Sequence, residues 1–411
     1  MELSPRRMNK INILFIASSV EKCGGLSGGD RIFLELSKRL CVNHNVVIYG
    51  WEATEILCKK YGVSHLFKSI GEIPSYVTKI RTISYIVRTI ITTLFIRRDI
   101  RLYSRDDTVV ISASDFWPDS IPAYLLSRFY NYYWASSFFL VAPDVFLSHG
   151  SHKGLKRIIA ALFSFSQSVI IRMIRSYSSL LITCSKDVIS AINGRSYLPL
   201  DYFFLYGGVT IDSNILKLRD TNIANPKYDV VYMARLHPQK GPIEMVRIWE
   251  EVLKINPKLH LAMIGNGPLE NKVKELIESL ELKESVELFG FVDGVDKLNI
   301  FSNSRLFAHP VIYDTGGMAP MEAMVIGIPA ISFDLKGLRD AYPKGMHKVS
   351  KYNIKEFAQG IIEILDSKKR YNTMRKDAIE LSNDWNWDKH SFDLQKKLLK
   401  LLKKDNDKNI K

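Results

Sequence analysis

Residues 228–242 decide the fold: Tyr228-Asp229-Val230-Val231-Tyr232-Met233-Ala234-Arg235-Leu236-His237-Pro238-Gln239-Lys240-Gly241-Pro242. A short apolar run ends in a polar loop, and Gly241-Pro242 then opens a segment of helical spacing over 242–255. A buried strand passing through a loop into a helix is the repeating half of a parallel α/β sheet. The pattern continues downstream, with strands expected at Leu259–Gly265, Ser285–Phe289, Arg305–His309 and Ala330–Phe333. Helices over 268–280, 294–301 and 318–327 fall between them. Upstream the same alternation occurs once already. Strands are expected at Ile11–Ser18, Asn45–Tyr49, Thr108–Ser112, Ser136–Val141 and Ser179–Cys184, and helices at 30–40, 53–61, 76–97, 120–130 and 155–176. The expected fold is α/β, with two Rossmann-like doubly wound parallel-sheet domains facing a central cleft. They would span 1–211 and 212–385, with Asp212–Lys227 as the linker. Residues 386–411 would form a last helix crossing back to the first domain, followed by a charged tail.

Composition narrows the function classes. The chain has 411 residues, 46% hydrophobic and 24% charged, which is ordinary for a folded protein and excludes global disorder. The four cysteines, Cys23, Cys41, Cys58 and Cys184, form no CxxC pair, so neither a zinc ribbon nor a disulfide scaffold is expected, and a reducing cytoplasm is. No secretory leader is read before the first strand. The longest uncharged stretches, Phe129–Pro143 and Ile158–Ile171, fall short of the roughly 18 residues a bilayer span needs. The net charge of +14 is uneven, with +10 in residues 1–210 and +4 in the remainder. Such a surface attracts phosphate-bearing partners.

In doubly wound sheets ligands bind at the carboxyl ends of the strands, so the residues just after strands are the candidates. The loop Gly24-Gly25-Leu26-Ser27-Gly28-Gly29 opens a helix, where bare backbone N–H groups can approach an anion or a sugar. It is equally a flexible connection. Arg235 and Lys240 share one loop and can converge on a diphosphate, the first as a fork and the second as a point charge. Gly265-Asn266-Gly267-Pro268 is a tight turn that lacks the third glycine of a dinucleotide fingerprint. The most informative stretch is His309-Pro310-Val311-Ile312-Tyr313-Asp314-Thr315-Gly316-Gly317-Met318-Ala319-Pro320-Met321-Glu322. Here a strand end gives way to a Gly-Gly loop that opens a helix. Asp314 stands at the mouth of the loop and Glu322 two turns into the helix. The two carboxylates could each hold vicinal hydroxyls. The plainer alternatives are a cap for Asp314 and a surface charge for Glu322.

These pieces together resemble the family 4 nucleotide-sugar glycosyltransferases of GT-B fold. The match rests on Gly28-Gly29, Gly207-Gly208-Val209, Arg235 to Gly241, Gly265-Asn266-Gly267, the acidic loop-helix and Gly327-Ile328-Pro329. It runs over nearly the whole chain and is strongest in the second half. The resemblance implies that Arg235 and Lys240 hold the donor diphosphate, and that Glu322 binds the ribose. Asp314 with the backbone of Gly316, Gly317 and Met318 would contact donor sugar and phosphates. Gly28 and Gly29 would let the first loop close over the donor, and Gly265 and Gly267 would line the donor site. It also implies retention of anomeric configuration. No covalent nucleophile is assigned, no metal is expected, and no cofactor is needed beyond the nucleotide diphosphate sugar as substrate. Two departures stand out. Asp314 replaces the family's usual glutamate, one methylene longer. Where many members carry a histidine, this chain has Ser112-Ala113-Ser114-Asp115-Phe116, making Asp115 the candidate for contact with acceptor or sugar. His149 and His152 could also face an acceptor, though an exposed structural role is the simpler reading.

The segment Lys79–Arg98 lines one helical face with Ile80, Ile83, Ile86, Val87, Ile90, Ile91 and Leu94, with Lys79, Arg81, Arg88, Arg97 and Arg98 adding charge. Lys156, Arg157, Arg172 and Arg175 flank a second apolar helix. A basic amphipathic helix can lie in a lipid interface. Expected partners are thus a nucleotide sugar, a glycan or lipid-linked acceptor and an anionic membrane surface, at the cytoplasmic inner face of the cell membrane. A basic nucleic-acid binder is the first alternative, but no helix-turn-helix or single-strand signature supports it, and no nucleic-acid partner is expected. An NAD-dependent oxidoreductase would need GxGxxG after a first strand, which is missing. A nucleotide-sugar epimerase of the same fold would need acid and base residues that the sequence does not place.

Overall fold

The computed structural model describes residues 10–20, 27–73, 81–142, 155–193, 200–220 and 226–406. Gly24, Gly25, Lys79, Ile80, His149 and His152 lie outside the described residues, as do the side chains of Arg81, Lys156 and Arg157. The chain forms two units. One runs to Leu205 and resumes at Trp387; the other is Tyr206–Asn386.

The first unit is built on seven parallel strands: β1 (Asn12–Ile16), β2 (Asn45–Gly50), β3 (Phe67–Ser69), β4 (Thr108–Ser112), β5 (Tyr133–Ser137), β6 (Leu180–Thr183) and β7 (Tyr202–Phe204). Their order is β3-β2-β1-β4-β5-β6-β7. β1 therefore lies between β2 and β4, with Ile13 opposite both Val46 and Val109. Every residue of β4 is buried, as its unbroken β-branched run Thr108-Val109-Val110-Ile111 requires of a strand covered on both faces. The last helix, Trp387–Asn406, belongs to this unit. It packs on the helix Gly28–Leu40, where Asp388 Oδ1 accepts from Arg39 Nε at 2.6 Å.

The second unit repeats the plan with six parallel strands: β8 (Tyr228–Met233), β9 (Leu261–Ile264), β10 (Val286–Gly290), β11 (Ser304–His309), β12 (Ala330–Phe333) and β13 (Met346–Val349). The order is β10-β9-β8-β11-β12-β13. One face is packed with Trp249, Phe357 and Ile361, the other with Phe307, Met321, Met324 and Trp385. The stretch read as a linker holds a helix, Ser213–Asp220, and Ile215 of that helix joins the second core.

The expected strand Ser136–Val141 is displaced to Tyr133–Ser137. Trp134 fixes it there, buried in the core with its indole N–H on Ser112 Oγ at 3.1 Å. The uncharged residues that follow leave the sheet because the Gln167 side chain takes up their backbone. It accepts from Ala142 N at 2.7 Å and donates to Leu140 O at 2.9 Å. β3 and β7, three residues each, are too short to show a period. β13 carries His347 and Lys348, which mask it as a strand.

Backbone close to backbone draws the loops of the second sheet together at its carboxyl end. At Gly241, φ is +68°, and a Cβ would fall 1.9 Å from the Pro310 carbonyl oxygen. Gly290 has nearly the same φ, +65°, with nothing within 4 Å of its Cβ position. The pair separates backbone strain from steric collision. Gly290→Ala should cost about 1 kcal/mol. Gly241→Ala, which must also move the Pro310 peptide, should cost about 3 kcal/mol or more. Urea midpoints of the two variants check this, and equal losses would remove the collision.

Candidate functional site

The loops after β8, β9 and β11 form one laced layer. Leu236 N–H donates to Asn266 O at 2.8 Å, Ile312 N–H to Gln239 O at 3.0 Å, and Gln239 Nε2 to Tyr313 O at 2.7 Å. The turn Gly265-Asn266-Gly267 is part of this lacing. Cβ positions at its two glycines fall 1.9 Å from Ala234 O and 2.7 Å from Leu236 O, so packing accounts for both.

Lys240 and Asp314 meet in this layer. Lys240 Nζ lies 2.5 Å from Asp314 Oδ2, with side-chain exposures of 26% and 12%. The other carboxylate oxygen accepts from the backbone N–H of Thr315 at 2.9 Å and of Gly317 at 3.2 Å. Gly316 N stands 3.5 Å from the same atom. Of the amides expected to face donor sugar and phosphates, those of Gly316 and Gly317 are thus turned onto Asp314. Burial alone would raise this carboxyl. Lys240, His309 and the hydrogen bonds from Lys240 and Thr315 outweigh burial and hold it at about 2.

Arg235 stands exposed at the end of β8. His237, between the two cations, has its pKa lowered by burial and then by both Arg235 and Lys240. Both positive charges therefore act on one small region, as convergence on a shared anion requires.

Glu322 is buried, with 9% exposure. Its Oε2 lies 2.8 Å from Lys297 Nζ, which also reaches Asp293 Oδ1 at 2.8 Å. It is a positioned group and not an idle surface charge. Gly317 begins the helix Met318–Met324, and Met318 packs over Gly207, bringing Gly207-Gly208-Val209 against the same corner.

Three residues here escaped the sequence reading. His309, at the end of β11, is 2% exposed; neither ring nitrogen has a hydrogen-bond partner among the described residues. Burial lowers its pKa to about 4, with Asp314 opposing and Lys240 assisting. Tyr342 donates its hydroxyl to the Gly317 carbonyl. Lys297 clamps Glu322. Gly317 and Glu322 lie 25 residues from Tyr342 and Lys297 in sequence, and His309 stands five residues before Asp314. The only available sign was that His309 ends a strand directly before the acidic loop.

In the first unit, the loops after β1 and β4 meet where the strand order reverses. Asp119 joins them. It is fully buried and accepts from Ser18 N at 2.6 Å, Ser19 N at 2.8 Å, and the hydroxyls of Ser19 and Ser114 at 2.6 Å each. Burial raises it to about 7 against the pull of those bonds. Asp115, beside it, is raised by burial to about 6 and accepts from Gln167 Nε2 at 2.8 Å. Gly28 and Gly29 open the helix Gly28–Leu40, whose Ser27 and Asp30 cap each other reciprocally. Among the described residues, no group of three His, Cys, Asp or Glu is placed to hold a metal.

Residues 215–381 match the family model of glycosyl transferases group 1. The resemblance to the family 4 glycosyltransferases of GT-B fold is borne out. Poly(glycerol-phosphate) alpha-glucosyltransferase of Bacillus subtilis is 26% identical over 167 residues, 40% of this chain and 24% of that protein. The chain spans between 24% and 64% of the length of the first curated relatives it matches. Among solved structures, TarM superposes with TM-score 0.71 at 13% identity, over 96% of this chain and 99% of that one. Anabaena HepE, solved with UDP and glucose, gives 0.68 at 14% identity, over 94% and 99%. At these identities the likeness speaks for the fold.

His309 has a consequence for stability. Unfolded, it takes up a proton near its ordinary 6.5; folded, it resists until about 4. The unfolded state therefore gains protons across this window, and stability falls as pH drops from 6.5 to 4. This amounts to about 3 kcal/mol in total. Asp314, held low, loses its own contribution only below the ordinary carboxyl range. Urea unfolding of wild type and His309→Gln from pH 7 to 4 should show the flatter dependence in the variant. Equal slopes would mean that His309 titrates normally in the folded protein.

Proposed function

We propose that the protein is a retaining glycosyltransferase. It would move a sugar from a nucleotide diphosphate sugar to a glycan or lipid-linked acceptor at the cytoplasmic surface of a membrane. The observation that carries this reading is the laced corner of the second unit, where Arg235 and Lys240 act on one region beside a positioned carboxylate. Glycosyl transfer builds positive charge on the sugar and negative charge on the departing diphosphate. Fixed cations at the diphosphate are then the largest lever on the rate. Lys240 and Arg235 would hold that group, with no metal required. Glu322, clamped by Lys297, would bind the ribose, and Asp314 with Gly316, Gly317 and Met318 the donor sugar. The backbone amides of Gly316 and Gly317 would reach phosphate only after leaving Asp314. Asp115 would contact the acceptor, Gly28 and Gly29 would line the first unit's loop, and Gly265 and Gly267 would shape the donor corner.

A specific observation supports a membrane setting. The helix Arg81–Asp99 exposes Ile83, Ile86, Ile90 and Leu94, each at least 45% accessible, along one face. Tyr85, Phe116 and Phe163 link it through ring contacts of 6.3 and 6.1 Å to the helix Leu155–Tyr177, which exposes Leu162, Phe163 and Phe165. Arg97, Arg98 and Arg172 are exposed nearby in sequence. Arg88 is half-buried and donates to the carbonyls of Ser18 and Val20. Among the described residues, no helix is long and apolar enough to cross a membrane.

Two measurements test the reading. With a panel of nucleotide sugars, wild type should release nucleoside diphosphate in the presence of EDTA, and Lys240→Ala should lose about 10²–10³ in kcat. Full activity of that variant removes Lys240 from the mechanism, and an epimerised nucleotide sugar as product favours the epimerase alternative. In vesicle sedimentation, the protein should bind anionic phosphatidylglycerol vesicles, more weakly in high salt, and Ile86→Asp with Ile90→Asp should release it. Absence of binding at any salt concentration ends the membrane reading.

A further inference from the structure

We propose that His309 is a positioning residue that takes over Asp314 when Lys240 is drawn to the donor diphosphate. This rests on the assignment of Lys240 to the diphosphate. In the structure as it stands, Lys240 Nζ occupies Asp314 Oδ2 at 2.5 Å. A lysine cannot grip a phosphate fully while that contact persists. Breaking it would leave a carboxylate oxygen unpaired in a side chain that is 12% exposed, a costly state for a charged group. A second donor is already in place. His309 Nε2 lies 3.9 Å from the same Oδ2, and neither nitrogen of this buried ring has a partner among the described residues. A buried imidazole without partners is rare enough to require a reason. Closing the gap by about 1 Å makes an ordinary hydrogen bond, with the neutral ring donating.

Gly317 keeps that gap open. A Cβ at this position would lie 2.9 Å from His309 Nε2 and 3.3 Å from Asp314 Oδ2, in the path along which the two must approach. The remaining carboxylate oxygen stays on the amides of Thr315 and Gly317, so the side chain can pivot without leaving the loop. Electrostatics runs in the same direction. Asp314 raises proton affinity at His309 and Lys240 lowers it, so a lysine neutralised by phosphate makes the imidazole a better partner for the carboxylate. Asp314 thus exchanges one donor for another as the diphosphate enters, and the loop holds its shape in both states.

The test is a double-mutant cycle read by calorimetry, with UDP, GDP and ADP tried in turn and the tightest used. His309→Leu should weaken its binding about tenfold, the value of one hydrogen bond. His309→Gln, which keeps an N–H donor, should stay within about threefold of wild type. In the Asp314→Asn background, Lys240 is released from the ion pair, and His309→Leu should then change the dissociation constant by less than about twofold. Equal losses for Leu and Gln, or an undiminished loss in the Asp314→Asn background, overturn the exchange and leave the donor reading intact. Binding of none of the three nucleotides to wild type overturns the donor reading, and the exchange with it. As a readout on the unmutated protein, the Nε2 nitrogen resonance of His309 should move on addition of the nucleotide. A resonance that stays fixed while the nucleotide binds also overturns the exchange.

Discussion

A lysine and an aspartate 2.5 Å apart govern the carboxyl end of the second sheet. Asp314 can be buried there only because its charge is answered on both oxygens, by Lys240 on one side and by loop amides on the other. Lys240 in turn is held by a loop whose backbone is pressed against Pro310 at Gly241. The pair therefore couples the loops after β8 and β11. It makes this corner neutral within itself and leaves Arg235 as an exposed cation at its edge. On the proposed reading, an entering anion would meet Arg235 in the open and would have to compete with Asp314 for Lys240. Recognition would then be divided between a charge that is immediately available and one that has to be released.

The fold was legible where the sequence obeys a simple period. β4, β8 and β12 lie at the residues their apolar runs indicate, and the helix Pro242–Ile255 starts at the proline and ends where its apolar stripe ends. Errors arose where side chains divert the backbone. The uncharged residues after Ser137 resemble a strand, yet Gln167 occupies their hydrogen-bonding groups. No local pattern announces that a glutamine on a later helix will do so. The site divides along the same line. Lys240, Asp314 and Glu322 are marked by motif spacing in the sequence. Lys297 and Tyr342 are not, since they matter through partners that the topology supplies, and His309 is not, since only burial beside Asp314 singles it out. Glycine was the easiest residue to notice and the hardest to interpret. Gly265 and Gly267 are explained by contact with Ala234 and Leu236, whereas Gly317 stands between two polar side chains.

The first unit solves a related problem by other means. Its switch-point loops are gathered on Asp119, which binds two backbone amides and two serine hydroxyls and makes no ion pair among the described residues. Burial with hydrogen bonds alone raises that carboxyl to about 7, whereas burial with a lysine lowers Asp314 to about 2. Two aspartates at corresponding ends of two similar sheets are thus shifted in opposite directions, Asp119 by burial and Asp314 chiefly by Lys240 and His309 acting against burial.

The return of the chain to the first unit has a topological result. The polypeptide enters the second unit at Tyr206 and departs at Asn386. Just inside, Val209 bridges Asn386 and donates to the Trp385 carbonyl at 2.8 Å. Entry and exit are sewn side by side, as for a guest domain inserted into a host. A single proteolytic nick at either junction would leave the two units covalently joined through the other. Shortening the chain from its far end would strip a helix from the host's hydrophobic packing before touching the guest.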